Sequence, residues 1–507
     1  MRAVTALQCS PSWLVFVAAA LLPFAYAPYG VLPAAFLAYG VFFYFVFYSS
    51  SIKAAMWLGW IFGYGRFLTG LYWTGAAILV EVDIFWWMLP FAVLGLPALL
   101  AIFDALVVAL WAKLRSVSAV SDAVLFGLLL AVGEYLRATI LTGFPWNAPV
   151  MVWAEWPWLI QSISLLGQHA LNLLILLWLV VPIALWMGRR WGAGLVVLVV
   201  STAVVVSFGA WRLRQPAQAG EALNVTLVQP NIDQGRKWDT QERLAIVREV
   251  MDLTVEGMTE QTQMVVWPET TLPFLLDEEK FFPRLLEARL APLPILMAGS
   301  VRRQIGPAGE IAFFNALQVW SGDGQLLDTA DKHKLVPFGE FLPFQNLLEW
   351  LGFQQLTRQR GGFTAGPPNA EVTGPNGQAF GVMICYEAIF PRRYQADLRA
   401  LINITNDAWF GHTAGPYQHL AQARLRAIET GLPLIRVANT GITAAFDGLG
   451  RNLGAIALGQ RDTITVRLPQ PQAPLTKTSP HAIFATMFIV CLVCYILSAL
   501  WRKKIKI

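Results

Sequence analysis

Charge is what this chain has least of. Only 14% of its 507 residues are Asp, Glu, Lys or Arg, against 56% that are hydrophobic. A soluble domain carries about a quarter charged residues, so a wholly soluble protein is excluded. Cysteine is scarce as well: Cys9, Cys385, Cys491 and Cys494. Only Cys385 lies in the better-charged middle of the chain, so that region can form no internal disulfide. The histidines, His169, His333, His412, His419 and His481, are scattered, and no Cys/His cluster has zinc spacing. Neither a metal nor an organic cofactor is expected. Tandem repeats and low-complexity tracts are absent too. The net charge of +5 is no nucleic-acid footprint, because much of it comes from the terminal run Arg502, Lys503, Lys504 and Lys506 beside an apolar stretch.

Long apolar runs are abundant instead. A membrane span needs about 20 mostly apolar residues. The sequence offers eight, at 12–28, 31–49, 54–78, 84–112, 119–141, 157–187, 191–211 and 481–501. The fourth contains Pro90 and Pro97 and is expected to be kinked or partly interfacial. Ala25-Tyr26-Ala27 looks like a signal-peptidase site, but Pro28 follows directly, so a retained anchor is expected. Arg2, Lys53, Lys113, Arg115, Arg189, Arg190 and the basic C-terminus fall on one side of this arrangement, and Glu81 and Asp83 on the other. The basic side faces the cytoplasm. Both termini are then cytoplasmic, and the inserted region lies outside the cytoplasm.

The expected organisation is a membrane domain over 1–214 with seven spans, an α/β catalytic domain over 222–468, and an eighth span with its basic tail over 480–507. In the middle domain, strands are expected at 224–229, 264–267, 294–298, 316–320, 326–329, 380–384, 400–404, 434–437, 442–446 and 463–467. Asp239 with Glu242 suggests a capping box for a helix to Met258, with Leu244, Val247, Met251 and Leu253 on its apolar side. A helix at 416–430 ends at Gly431, and Gly322-Asp323-Gly324 reads as a hairpin turn. Strands with interspersed helices argue for a layered α/β domain.

Two stretches resist that reading. The segment 341–366 crowds Phe341, Leu342, Phe344, Leu347, Leu348, Trp350, Leu351 and Phe353 ahead of Arg358 and Arg360. It suits an interfacial lid, although a helix packed on the domain's own core fits as well. Loop 142–158 is rich in Trp and Pro and reads as an aromatic belt or as the wall of a lipid entry site. Just before it stand Glu134 and Arg137, three residues apart on one helix face. They form either a mutual salt bridge or a functional pair.

Three islands carry chemistry, each after an expected strand. They are Trp267-Pro268-Glu269-Thr270, Lys332-His333-Lys334-Leu335-Val336-Pro337-Phe338-Gly339-Glu340, and Cys385-Tyr386-Glu387. Singly each is ordinary, and Cys385 alone reads as a buried packing residue. Together, in this order, they resemble the nitrilase superfamily, as does the stretch 403–411 with its Asn406-Asp407-Ala408-Trp409-Phe410-Gly411. Seven spans before such a domain and one after it, together with Gly143-Phe144-Pro145-Trp146, are similar to the apolipoprotein N-acyltransferase family.

The resemblance implies an extracytoplasmic αββα sandwich on a polytopic helical membrane domain. It implies Glu269 as general base, Lys332 as the cation that stabilises the tetrahedral intermediate, and Cys385 as nucleophile. Glu340 would orient Lys332, relay a proton, or simply cap a turn. The Tyr386 N–H is a candidate oxyanion donor, and Glu387 would hold loop geometry. Trp238, Trp146, Phe338 and Trp409 are candidate substrate contacts, with a core tryptophan as the plain reading of Trp238. The implied reaction moves an acyl chain from a phospholipid, with phosphatidylethanolamine the expected donor, through a Cys385 thioester to the α-amine of a diacylated apolipoprotein. A bacterial inner-membrane enzyme acting as a monomer, with no nucleic-acid partner, is expected. The alternatives are a membrane-anchored amidase for small amides and, more remotely, a transporter with an extracytoplasmic binding domain.

Overall fold

The structure is a computed structural model that describes residues 11–80, 82–116, 118–216, 218–291, 295–307, 309–350, 362–391, 397–476 and 478–505. The chain divides into two compact units. One comprises residues up to Gly75, Trp87–Gln215 and Thr476 onward, and the other Ala76–Trp86 with Pro216–Leu475.

The first unit is helical, and a helix lies in each of the eight expected apolar segments. Among the described residues five helices are long and apolar enough to cross a membrane: Phe91–Leu114, Ala119–Thr139, Ile163–Met187, Trp191–Leu213 and Pro480–Leu497. Pro11–Ala25 and Leu32–Phe47 are apolar but shorter. Sixteen residues, as in Leu32–Phe47, give a helix of about 24 Å, short of a hydrocarbon core of about 30 Å. The helix Ile52–Gly70 carries Lys53 and Arg66, and it stops well before the expected end at 78. Proline breaks the fourth segment as anticipated: a π-helical turn, Phe91–Gly95, sits between Pro90 and Pro97 before the regular helix Leu96–Leu114.

Among the described residues this unit buries six charged side chains, Arg66, Asp104, Asp122, Glu134, Arg137 and Arg212, and four of them form one cluster. Arg66 donates to Asp104 at 2.8 Å and to Glu134 at 2.7 Å, and Arg137 pairs with Glu134. Arg137 also donates to the carbonyl of Trp146 at 2.9 Å. The pair at 134 and 137 is therefore a mutual salt bridge, extended by Arg66 and Asp104 into one compensated cluster. Charges that neutralise one another do not line an ion path, which weighs against a transporter.

Among the described residues the second unit holds two six-stranded sheets. Strands β1 (Gln218–Gln229), β2 (Met264–Val266), β3 (Ile295–Ile305), β4 (Ile311–Ser321) and β5 (Leu326–Asp331) belong to one. The other contains β6 (Glu371–Thr373), β7 (Ala379–Ile384), β8 (Ala400–Thr405), β9 (Leu434–Ala438), β10 (Thr443–Phe446) and β11 (Asn452–Ile456). The last strand, β12 (Asp462–Gln470), returns beside β1 in the first sheet. Parallel pairing occupies the centres, β1–β2–β3 and β7–β8–β9, with antiparallel strands outside.

Alternation decides which side chain goes where. Met264 and Val266 of β2, with Phe380, Val382 and Ile384 of β7, share one core drawn from both sheets. The intervening Val265 instead packs with residues of the helices Arg243–Gly257 and Phe281–Leu290. Met383 packs with Ala423 and Ala427 of the helix Gly415–Thr430. Each such aliphatic side chain contributes about 1.5–3 kcal/mol when fully buried.

Local expectations fared unevenly. The helix Gly415–Thr430 ends on left-handed Gly431 as expected, and the turn after β4 carries left-handed Gly324. The capping box does not form. The helix begins at Arg243 with no side-chain cap, because Arg236 draws Glu242 into an ion pair at 2.7 Å. Leu244 is 69% exposed, so the buried face runs through Ile246, Val247, Val250 and Met251 instead. Of the proposed lid, the helix Gln345–Trp350 is seen, with Phe344 and Trp350 exposed and Leu342 buried. Arg358 and Arg360 lie outside the described residues, as does Cys9.

Candidate active site

Four strand ends converge. Glu269 follows β2, Lys332 follows β5, Cys385 follows β7 and Asn406 follows β8. The C-terminal ends of strands are where open α/β layers place their chemistry. All of these side chains are buried, with Cys385 8%, Glu269 7% and Lys332 1% exposed.

Glu269 is fixed at both oxygens. Asn315 Nδ2 donates to Oε1 at 2.7 Å and the Asn406 backbone N–H donates to Oε2 at 2.8 Å. Its turn lies against Gly299, where an added Cβ would meet the Pro268 carbonyl oxygen at 2.1 Å. Only glycine allows this approach. Lys332 Nζ lies 2.8 Å from Glu340 Oε1 and 3.7 Å from Glu269 Oε1, so the two carboxylates bracket one ammonium. Glu340 also accepts from Asn315 Nδ2 at 3.2 Å and from the Val336 N–H at 2.9 Å. It thus both orients Lys332 and caps its own loop.

Cys385 has a φ of 53°, the left-handed region that residues other than glycine rarely enter. Holding it there costs on the order of 1–3 kcal/mol and turns the side chain out of the strand's alternation. Glu387 braces the turn: its Oε2 accepts from the Ile384 N–H at 2.8 Å, and Oε1 accepts from the N–H groups of His333 at 3.2 Å and Lys334 at 3.0 Å. One carboxylate therefore ties the lysine loop to the cysteine strand.

The electrostatics separate the roles. Burial pushes the Cys385 thiol up, Glu269 adds to this, and Lys332 opposes it. Burial also raises Glu269, with Lys332 pulling it back and Glu340 raising it further. Burial alone would lower Lys332, but Glu340 and Glu269 outweigh it and hold the ammonium well above its ordinary value. The resting site is thus a thiol facing a carboxylate of raised basicity, beside a permanent cation. Such a set can deprotonate sulfur as it attacks an acyl carbon and stabilise the oxyanion that forms.

Of the other sequence candidates, Tyr386 is buried and sits edge-on to Phe390 with ring centroids 5.1 Å apart. Trp238 is 50% and Phe338 41% exposed, so Trp238 is no core residue. Trp409 is half-buried in the one-turn helix Asp407–Phe410. Trp146 belongs to the first unit, where it is buried against Trp73 at 4.5 Å between ring centroids.

Sequence reasoning missed Asn315 and Lys237, and it named Asn406 only as part of a motif, without a role. Asn315 interrupts the apolar β4 run, which was its signal. Lys237 is 1% exposed, and burial lowers it to about 8, with Glu269 opposing. It shares its one-turn helix with Gln234, whose Oε1 accepts from Asn406 Nδ2 at 2.9 Å. Among the described residues no group of three His, Cys, Asp or Glu could hold a metal.

The family model for carbon–nitrogen hydrolases matches residues 224–477, the stretch that holds the carboxylate–lysine–cysteine cluster. A solved carbon–nitrogen hydrolase from Helicobacter pylori is 14% identical, with a TM-score of 0.36 over 49% of this chain and 89% of its own. The model for the apolipoprotein N-acyltransferase N-terminal domain matches residues 18–181. A Brucella melitensis protein named apolipoprotein N-acyltransferase is 40% identical over 447 residues, 86% of this chain and 84% of its own. One of the same name from Sinorhizobium medicae is 38% identical over 516 residues, 96% of this chain and 95% of its own. The chain belongs to the apolipoprotein N-acyltransferase family.

Proposed function

We propose that this bacterial membrane protein N-acylates lipoproteins in two half-reactions through a thioester on Cys385. Glu269 takes the Cys385 proton as sulfur attacks the sn-1 ester carbon of a phospholipid. The C–O bond breaks, and Glu269 returns the proton to the departing glycerol oxygen, releasing a lysophospholipid. The α-amine of a diacylglyceryl-cysteine then attacks the thioester. Glu269 takes a proton from nitrogen, the C–S bond breaks, and that proton goes back to sulfur. Lys332 faces the oxyanion in both steps, joined by the Tyr386 N–H, and Glu340 keeps Lys332 in place.

The observation that carries this reading is the left-handed Cys385 beside Glu269 and Lys332 in a chain of this family. The finer assignments are part of the same proposal. The twelve strands and flanking helices form an αββα sandwich, all eight helical segments span the membrane, and the domain boundaries are those read from the sequence. The catalytic domain is periplasmic with both termini cytoplasmic, the membrane is the inner one, phosphatidylethanolamine is the donor and the enzyme is monomeric. Trp238, Phe338, Trp409 and Trp146 contact the lipid substrates. Exposed Phe344 and Trp350 suit a lid that keeps water from the thioester.

The test is intact mass after incubation of the detergent-solubilised protein with phospholipid. An acyl adduct on the wild type, absent from Cys385→Ala and discharged by a diacylated peptide with a free α-amine, is expected. The same adduct on the Ala variant, or none on the wild type, overturns the reading. Hydrolysis of small amides without phospholipid acylation would favour the amidase instead.

A further inference from the structure

The proposed chemistry occupies one side of Cys385. On its other side lies a second buried cluster that the mechanism leaves unused. His419, from the helix Gly415–Thr430, places Nε2 3.1 Å from the Cys385 carbonyl oxygen. Its Nδ1 lies 2.9 Å from Asp407 Oδ1 and 3.2 Å from Arg436 Nη2. Asp407 is held in turn, accepting from Thr405 Oγ1 at 3.0 Å and from Arg436 Nη2 at 2.6 Å. Arg436 Nη1 also donates to Asn403 Oδ1 at 2.5 Å, and Asn403 Nδ2 donates to the Met383 carbonyl at 2.9 Å. Asn403, Thr405, Asp407, His419 and Arg436 are all fully or almost fully buried. The chain of contacts therefore leaves the backbone at Met383 and returns to it at Cys385.

A reason for this investment lies in the backbone. Strand β7 ends at Ile384, and its ladder with β8 ends there too. The Cys385 carbonyl thus lies beyond the sheet ladder, on a residue held at a φ of 53°. A buried carbonyl needs a donor, and a left-handed cysteine needs its neighbours to over-determine it.

The proton inventory identifies the donor. Both oxygens facing the imidazole are acceptors: one is a backbone carbonyl and the other is Asp407. Burial would raise Asp407, but Arg436 and His419 outweigh it and keep it ionised. A proton on Nε2 satisfies the Cys385 carbonyl; in the neutral ring, which burial and Arg436 favour, Nδ1 accepts from Arg436, whose charge also neutralises Asp407, and in the doubly protonated ring Nδ1 donates to Asp407 Oδ1, so Nε2 carries a proton in both. A single proton on Nδ1 would instead set the Nε2 lone pair against the carbonyl oxygen, a repulsive contact.

We infer that His419 is a positioning residue: its Nε2–H donates to the Cys385 carbonyl and, with Asp407 and Arg436 fixing the ring, holds the cysteine in the left-handed conformation that presents its sulfur to Glu269 and Lys332. This rests on the reading of Cys385 as the nucleophile. His419 touches no substrate; it acts through the backbone of the residue that does.

Two substitutions separate the arms of the ring. Glutamine keeps a donor where Nε2 stands, and asparagine keeps one only where Nδ1 stands. In thioester formation on phospholipid, His419→Asn is expected to lose about 100-fold, the scale of a misplacement of about 1 Å, while His419→Gln stays within about tenfold of wild type. A residue needed only for folding would give no such split. Equal rates in the two variants, whether both normal or both slow, overturn the inference. The wild-type adduct reports separately on the acyltransferase reading. The unsubstituted protein supplies a second measurement that needs no variant to fold. Spectra of [15N]histidine-labelled protein at neutral pH should show the His419 Nε2 protonated, and an unprotonated Nε2 overturns the inference outright.

Discussion

Removing the charge of Glu340 tests how the site sets the strength of its base. Asn315 Nδ2 donates to both Glu269 Oε1 and Glu340 Oε1, so these oxygens lie within about 6 Å, and at an effective dielectric of about 20 their repulsion is about 3 kcal/mol. That repulsion raises Glu269, against the pull of Lys332. In Glu340→Gln the repulsion vanishes and Lys332 keeps Glu269 as its counter-ion. Both changes favour the ionised carboxylate. The loss of about 3 kcal/mol makes Glu269 about a hundredfold weaker as a base at equilibrium. Part of that is felt in the transition state, so thioester formation at neutral pH should slow by about tenfold. The sign of the pH effect is fixed as well. Glu269 acts when deprotonated, so the acid limb of the acylation rate reports its ionisation, and Glu340→Gln must move that limb to lower pH. The assay is the rate of acyl-adduct formation by mass across pH, with thermal unfolding in detergent as the control for folding. A limb that stays in place, or moves to higher pH, would refute the reasoning and leave Glu340 to orient Lys332 and cap its loop without setting the strength of the base.

Other substitutions probe the surroundings of the site. Gly299→Ala drives a Cβ into the Pro268 carbonyl, and by overpacking it should cost about 1–3 kcal/mol in thermal unfolding and slow acylation through the displaced Glu269. Lys237 sits at about 8 in the folded protein, below its unfolded value, so between these values the unfolded chain binds the extra proton. Stability contributed by this group therefore rises with pH from about 8 to about 10.4, and comparing melting temperatures of wild type and Lys237→Met across that window should show this rise only in the wild type. In the helical unit, Arg66→Leu removes the ion-pair partner of buried Asp104 and leaves Glu134 paired with Arg137. It should destabilise the protein by about 3–5 kcal/mol in detergent unfolding, whereas a neutral result would mean the cluster carries no net charge pairing.

The parts of the site legible in the sequence were those at strand ends. Glu269, Lys332, Glu340 and Cys385 each follow a short apolar run, and strand–loop junctions are visible in one dimension. The structure brings all four within ion-pair or hydrogen-bond reach of one another or of Asn315. What stayed hidden depends on pairing between distant segments. Asn315 is a mid-strand residue whose meaning comes only from the neighbouring turn at Glu269. His419 looked like one of five scattered histidines until the helix Gly415–Thr430 set it behind Cys385, 34 residues away. Short edge strands were missed for a different reason: three residues at β6 carry too little alternation to register. The failed capping box shows a third limit, because Asp239 and Glu242 have the right spacing but Arg236 competes for Glu242 and wins on charge.

These limits bear on how the nucleophile was read. On its own strand Cys385 was one more buried apolar residue, and alternation alone would leave it inside the sheet. Its left-handed φ takes it out of that register, and a cysteine cannot hold such a conformation without external bonds. Those bonds come from Glu387 on one side and from His419 on the other, residues 2 and 34 positions along the chain. The nucleophile is thus specified less by its own strand than by two braces that the strand does not contain. If both braces act as argued, weakening either one should lower the acylation rate while leaving Glu269 and Lys332 in place, so the loss would appear in turnover before it appeared in lipid affinity.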